Sequence, residues 1–228
     1  MGGLRVSDVE QTPFTFREFT DNPEPRCACL LLIDTSGSMG GAPIRELNSA
    51  LVAFKQALSE DSLAMKRVEI AVVTFGPVRV ETDFQTVDMW QPPHLTASGD
   101  TPMGAAITEG LELLRQRKIQ YKDNAIETFR PWVFLMTDGG PTDRWEHATD
   151  LVRQGETSKG FSFWGIGVEN ARMDILKKIC TEERPPIKLA GLQFKEMFVW
   201  LSASLKSVSG SQPGAKVIIE PPKGWTEV

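Results

Sequence analysis

The 228-residue sequence predicts an α/β fold: a doubly wound, Rossmann-like open sheet that is mostly parallel, with one antiparallel edge strand and helices on both faces. Short apolar runs, typical of strands covered on both faces, alternate along the chain with longer segments of helical period. Two strand segments are separated only by a Gly76-Pro77 turn, which is too short for a parallel crossover. Polar residues stand where other strands end, so we expect a functional site at the carboxyl edge of the sheet.

The predicted strands differ in how much of their surface is covered. Near-continuous apolar runs favour central strands, whereas the alternating pattern of residues 78–87 favours a half-exposed strand at the sheet edge. A weak strand is predicted at 187–191. The central strands are predicted at 26–34, 67–76, 132–138 and 161–168.

The predicted helices lie between these strands. Pro43 suits the first turn of a helix whose apolar stripe recurs at helical spacing, at Ile44, Leu47, Leu51, Phe54 and Leu58. Further helices are predicted at 103–118, 144–156, 173–179 and 194–208.

The chain length fits one domain, predicted at residues 26–210, between an N-terminal arm at 1–25 and a C-terminal tail at 211–228. The alternating FTFREF at 14–19 could form a short edge strand or pack as an arm. The tail could dock through VIIE at 217–220 or stay mobile.

Composition excludes some partners and indicates a compartment. A net charge of −5 argues against a general nucleic-acid binder and against an anionic membrane surface. Cys27, Cys29 and Cys180 have no partners at metal-ligand spacing, which favours buried thiols in a reducing compartment. The first twenty residues lack the apolar core of a signal peptide, and the longest apolar run is too short to span a bilayer. We therefore expect a cytoplasmic protein.

The unusual polar residues follow three predicted strands and carry only oxygen donors. Oxygen-only sites suit hard cations, Mg²⁺ first, with Mn²⁺ or Ca²⁺ as substitutes. In an extended turn, the side chains of alternate residues point the same way, so those of Asp34, Ser36 and Ser38 can converge on one point. Two carboxylates at adjacent strand ends repel each other unless a cation lies between them. The candidate metal ligands are Asp34, Ser36, Ser38, Thr101 and Asp138.

These residues form a pattern that resembles the von Willebrand factor A (vWA) domain and its metal-ion-dependent adhesion site (MIDAS). The matching motifs are the D-x-S-x-S of DTSGS, the threonine of GDTP and the aspartate of TDG, and the resemblance runs from about residue 26 to about residue 208. The stretches NPEPRC, VTFGPV, GDTPMGAAI and RPWVFLMTDGGPTD look closer still to the bacterial branch that includes YegL and TerY-like proteins. In that branch GDTP commonly replaces GGTP, which leaves Asp100 as a nearby carboxylate without an assigned role.

The resemblance implies a role for each ligand. Ser36 and Ser38 would coordinate the metal directly, and Thr101 directly or through water. Asp34 and Asp138 would hold metal-bound waters or bind directly. The remaining position would take an Asp or Glu carboxylate of a protein partner. Relatives in this branch tend to be encoded beside kinase-like and phosphatase-like proteins, which implies signalling or stress response.

Several residues admit plainer interpretations. Without Thr101 and Asp138, DTSGSM would be only a strand-to-helix turn whose serines satisfy backbone amides. Thr142 or Asp143 is predicted to be the N-cap of the next helix. His94 and His147 lack partners at ligand spacing and are predicted to be surface or packed residues. Met39 is predicted to pack beneath the loop, and Trp90 either rims the site or pins its own loop.

Two rival functions stay open. The first is a Mg²⁺-dependent phosphohydrolase with Asp34 as nucleophile. Such an enzyme needs a general acid two residues later, where this chain has Ser36. It also needs a lysine and a later acid pair around the phosphate, for which only Lys159 and Asp138 are loose candidates. A metal-independent scaffold acting through arm and tail is the second. Nucleotide-binding glycine loops and a G-x-S-x-G elbow are absent from the sequence. We favour a metal-dependent protein-interaction module without catalysis.

Overall fold

The computed structural model describes residues 16–219 and 223–226, and its described residues form a six-stranded sheet in the order β3-β2-β1-β4-β5-β6. All neighbouring strands pair in parallel except β3, which runs antiparallel to β2 at the edge. This confirms the predicted mostly parallel sheet with one antiparallel edge strand. The strands are β1 (Cys27–Asp34), β2 (Val68–Phe75), β3 (Arg79–Thr86), β4 (Trp132–Thr137), β5 (Ser162–Gly167) and β6 (Ile187–Lys188).

Helices cover both faces of this sheet. They are α1 (Phe16–Asp21), α2 (Ala42–Ser59), α3 (Ser62–Arg67), α4 (Met103–Asp123), α5 (Glu146–Thr157), α6 (Met173–Ile179) and α7 (Phe194–Ser209). The five predicted helices are confirmed, although α4 runs five residues beyond its predicted end at 118. The short α3 was not predicted; the Asp61 carboxylate caps it by accepting the amides of Leu63 and Ala64. Within the two described ranges, each helix is too short or too polar to cross a bilayer.

The sheet separates two apolar cores. Leu31 and Ile33 of β1 point into the core that α2 and α7 complete. Leu30 and Leu32 point into the core that α4, α5 and α6 complete. Every residue of β1 is buried because both faces of the strand are covered, which is the physical reason for its continuous apolar run.

The amino end of the sheet contains a buried ion cluster. Glu69 of β2 is fully buried and accepts hydrogen bonds from Arg26 Nε and Arg117 Nε, each at 2.8 Å, and from the Tyr121 hydroxyl. Both carboxylate oxygens are therefore satisfied by cationic or hydroxyl donors, as a buried charge requires. This cluster lies at the edge of the sheet opposite the loops that carry the candidate ligands.

The N-terminal arm enters this cluster as a helix. Of the two alternatives for 14–19, the edge strand is wrong for residues 16–19, which belong to α1, and Glu18 and Phe19 pack on the domain as an arm would; residues 14 and 15 lie outside the described residues. The helix is favoured because Glu18 reaches Arg117 at 2.6 Å while the buried Phe19 ring packs edge-on against Tyr121. The Arg117 guanidinium also lies 4.9 Å from the centre of the Phe19 ring.

The C-terminal tail docks through a residue that the sequence analysis did not select. Trp225 is buried, with its ring centre 5.5 Å from that of Trp200, and its carbonyl accepts the Ala190 amide at 2.8 Å. Val217 and Ile219 of the predicted VIIE docking segment also pack on the core; the last residue of that segment is outside the described residues.

Candidate functional site

The Asp34 carboxylate is held at the carboxyl end of β1 by the loop that follows β1 and by the end of the neighbouring strand β4. One carboxylate oxygen accepts the Ser36 amide at 2.8 Å, and the other accepts the hydroxyl of Thr137, the last residue of β4, at 2.5 Å. Asp34 is fully buried. Burial raises the pKa of the Asp34 carboxyl above its usual range, and the hydrogen bonds from Ser36 and Thr137 offset part of that rise. The position of this carboxylate is therefore fixed before any ligand arrives.

The two serines and Asp138 form a continuous chain of oxygens. Ser36 Oγ lies 3.0 Å from Ser38 Oγ, and the Ser38 hydroxyl donates to Asp138 Oδ1 at 2.8 Å. Ser36 and Asp138 are buried, whereas Ser38 is exposed at the surface. A 3-10 turn at Gly37–Met39 brings Ser38 back over the strand end, and Met39 is buried beneath it as predicted. Four of the five predicted ligands thus lie in one connected group.

Thr101 borders this group from a third loop. The Thr101 amide donates a hydrogen bond to Thr142 Oγ1 at 3.1 Å, and the Thr142 amide donates one to the Thr101 carbonyl at 2.9 Å. A Cβ on Gly139 would lie 4.0 Å from Thr101 Oγ1, so the threonine hydroxyl faces the loop that follows Asp138. Within residues 16–219, its hydroxyl makes no direct hydrogen bond to the other four candidates.

Close backbone packing positions the first loop. The Thr35 carbonyl accepts the Ser98 amide at 2.7 Å, and the Gly37 amide donates to the Gly99 carbonyl at 3.0 Å. Gly76 lies between these segments with φ +147°, and a Cβ there would be 2.7 Å from the Ser36 nitrogen. Only glycine fits this position without moving the loop that carries both serines.

Asp143 caps α4, and the prediction that Asp143 or Thr142 caps the following helix is wrong. Its two carboxylate oxygens accept the amides of Gly104 (3.0 Å) and Ala105 (2.8 Å), in the first turn of α4. Neither Asp143 nor Thr142 caps α5, which begins after Trp145 without a side-chain cap. Asp143 caps α4 and not α5 because the backbone of Arg144 packs directly on Gly104 in the first turn of α4. A Cβ on Gly104 would lie only 2.5 Å from the Arg144 carbonyl oxygen. Asp143 thereby links the Thr101 loop to the Asp138 loop.

The other residues considered in the sequence are either exposed or packed in the core. His94 and His147 are exposed, as is Asp100. Trp90 is buried against Phe54, and its indole nitrogen donates to Thr82 at 3.2 Å, so it pins its own loop and does not rim the site.

The donor set has the chemistry of a hard-cation site. It combines two carboxylates with three hydroxyls and contains neither imidazole nor thiolate. Among the described residues, no three His, Cys, Asp or Glu side chains come together in a cluster that could hold a metal. A cation here would therefore depend on hydroxyl ligands and water. The two carboxylates meet the site from adjacent strands, and the charge of Asp138 contributes to the raised pKa of Asp34. The chemistry of these residues fits a hard divalent cation.

Of the two loose phosphohydrolase candidates, Asp138 lies beside Asp34 but Lys159 does not. Lys159 follows α5 and precedes the amino end of β5, so it lies toward the opposite edge of the sheet from Asp34. The residue two positions after Asp34 is Ser36, whose hydroxyl pairs with Ser38. The Asp34 oxygens already accept hydrogen bonds from Ser36 and Thr137.

Comparison with known proteins identifies the fold family. Residues 30–190 match the family model described as von Willebrand factor type A domain. A search of curated proteins gave no significant match. Among solved structures, proximal thread matrix protein 1 from the mussel byssus, with a zinc-occupied MIDAS motif, aligns at 14% identity and TM-score 0.55, covering 80% of this chain and 48% of that one.

Two pilus proteins share the same fold. The vWF domain of the type V pili tip protein Mfa5 from Porphyromonas gingivalis aligns at 14% identity and TM-score 0.51, covering 85% of this chain and 98% of that one. The pilus adhesin SpaC from Lactobacillus rhamnosus GG aligns at 11% identity and TM-score 0.61, covering 80% of this chain and 30% of that one. This chain spans about half the length of the mussel protein. The chain belongs to the von Willebrand factor type A domain family.

Proposed function

We propose that this domain binds a protein partner through a divalent metal ion held by Asp34, Ser36, Ser38, Thr101 and Asp138. The observation that carries the proposal is the connected chain Ser36–Ser38–Asp138 above the buried Asp34 carboxylate. Ser36 and Ser38 would be direct ligands, with Thr101 direct or through water. Asp34 and Asp138 would hold metal-bound waters or bind directly.

Few direct acidic ligands would leave the ion attractive to a further carboxylate. We propose that a partner's Asp or Glu supplies it, since a hard cation prefers oxygen ligands and the Ser38 side of the site is exposed. Mg²⁺ is the favoured ion, with Mn²⁺ or Ca²⁺ as substitutes. The mussel relative, which has zinc at its MIDAS motif, supports metal binding at this place in the fold.

The wider context follows from the sequence resemblance. We place the chain in the bacterial YegL and TerY-like branch, with kinase-like or phosphatase-like neighbours as candidate partners in signalling or stress response. A cytoplasmic location is supported by three buried cysteines that form no disulfide. We keep residues 26–210 as the binding domain, with the arm and the tail as accessory segments.

Metal titration by calorimetry tests the proposal. We expect Mg²⁺ or Mn²⁺ to bind the wild-type chain at one site and Ser36→Ala to lose that binding. Ser62→Ala, an exposed serine at the start of α3, is the matched control and should bind as the wild type does. Equal binding by Ser36→Ala and wild type would contradict the proposed site.

The enzymatic alternative has its own test. The wild-type chain is incubated with Mg²⁺ and a chromogenic phosphate ester, beside Asp34→Asn. We expect no turnover from either protein. Turnover by the wild type that is lost in Asp34→Asn would contradict the proposed binding function and show that the domain is a phosphohydrolase.

A further inference from the structure

A groove begins beside the candidate metal site and runs along α2. It has a volume of about 640 Å³ and lies between the first three turns of that helix and the segment 92–97. One end is formed by Gly40 and Gly41, two and three residues after Ser38. The other wall leads into Ser98 and Gly99, which hydrogen-bond to the loop of the serines. The groove is therefore continuous with the site.

The groove wall is held in place before binding. The Asn48 side chain pairs with both backbone groups of Leu95: its nitrogen donates to the carbonyl at 2.9 Å, and its oxygen accepts the amide at 2.8 Å. Leu95 and Trp90 anchor the same segment in the core. Little conformational entropy would be lost when a ligand enters such a preformed groove.

The lining combines apolar surface with one cation. Val52 is 59% exposed, and Pro92 and Pro93 also line the groove. Arg45 is exposed on the lining and makes no salt bridge with any residue of 16–219. This surface complements a segment that carries an acidic group and apolar side chains.

The helix sets the spacing of that segment. Val52 lies seven residues after Arg45 on α2, about 10 Å along the helix axis. An extended peptide covers this distance with about three residues.

We infer that the groove receives an extended segment of the protein partner next to its metal-bound carboxylate, an inference that rests on the proposed function. A second acidic residue of that segment pairs with Arg45. Apolar side chains about three positions beyond this second acid pack against Val52 and the two prolines. The groove thus selects among acidic segments that the metal alone would bind equally.

The test uses a random peptide library displayed to the full chain in Mn²⁺ buffer and released with EDTA. The affinity of the most enriched peptide is then measured for groove variants and matched controls. Arg45→Glu and Val52→Glu should each weaken binding at least tenfold. Lys177→Glu makes the same charge change on α6, which packs on the other face of the sheet, and Val199→Glu alters an exposed valine of α7; both should bind as the wild type does.

The outcomes separate the groove from the metal site. Binding that needs Mn²⁺ and Ser36 but tolerates Arg45→Glu and Val52→Glu would overturn the groove and leave the proposed function standing. A library that yields no EDTA-released peptide would contradict both. Enriched peptides with two acidic residues, and with apolar residues about three positions beyond the second, would support the groove directly.

Discussion

The Ser38 hydroxyl donates to Asp138 Oδ1 at 2.8 Å, although 100 residues separate the two in the chain. The contact joins the loop after β1 to the loop after β4, and these two strands are neighbours in the sheet. The site is thus assembled by strand pairing, so its geometry depends on the whole fold.

Metal binding should stabilise the chain through this contact. At a Mg²⁺ concentration about one hundredfold above Kd, mass action adds about 2.7 kcal/mol to the free energy of unfolding. For a chain of this size the melting temperature should rise by roughly 5 to 10 °C relative to EDTA. A thermal scan of wild type and Ser38→Ala measures this shift, which the variant should lose. An equal shift in both proteins would exclude Ser38 as a ligand.

Asp143 should contribute to stability as a cap on α4. Asp143→Ala removes the acceptor of two amides in the first turn, and such losses cost about 1 kcal/mol. Urea unfolding measures the change, with the exposed Asp150→Ala on α5 as control. If Asp143→Ala unfolds at the wild-type urea concentration, the cap carries no net stability.

Glu69 should be essential to the fold because it neutralises two arginines. Glu69→Gln leaves the buried Arg26 guanidinium without a carboxylate and leaves Arg117 with only the partly exposed Glu18, and breaking a buried pair costs about 3 to 5 kcal/mol. Chemical unfolding monitored by circular dichroism measures the loss. Glu112→Gln, which breaks an exposed pair with Arg115, should leave unfolding unchanged. Similar losses in the two variants would contradict the importance of burial.

The three cysteines should be inert in the folded chain. Burial raises the pKa of the Cys27 and Cys180 thiols from an ordinary 9.0 to about 12, and raises that of Cys29 well above the ordinary value. Between pH 9 and 12 the unfolded chain releases protons that the folded chain keeps, so stability should fall as pH rises through this window.

Thiol labelling checks this directly. With Ellman's reagent at pH 8, we expect no reaction in buffer and three thiols per chain in denaturant. Rapid labelling of any thiol in the folded chain would show that it is accessible.

The sequence predicted the features that depend on local pattern. The apolar run of β1 identified a central strand, and the strand ends then located Asp34 and Asp138 at one edge. Because the carboxyl ends of parallel strands meet, residues 100 positions apart could be grouped before any coordinates were known.

The features that were missed depend on tertiary contacts. Asp143 has the composition of a local cap, yet it caps a helix that precedes it in the chain. Glu69 lies in an apolar run, and its burial is explained by hydrogen bonds from Arg26 and Arg117, which only the folded chain brings close to it. Phe19 lies in a short alternating stretch that left both a strand and a packed arm open, and Trp225 lies in a segment rich in Pro and Gly, so local pattern selected neither as a core residue.

The central claim is that side chains from three loops share one divalent cation, and anomalous scattering from crystals grown with Mn²⁺ tests it most directly. We expect a single strong peak within about 2.2 Å of both Ser36 Oγ and Ser38 Oγ, close to the distance that hard cations keep from oxygen. Well-ordered crystals with no peak at that position, or with the peak elsewhere on the surface, would contradict it.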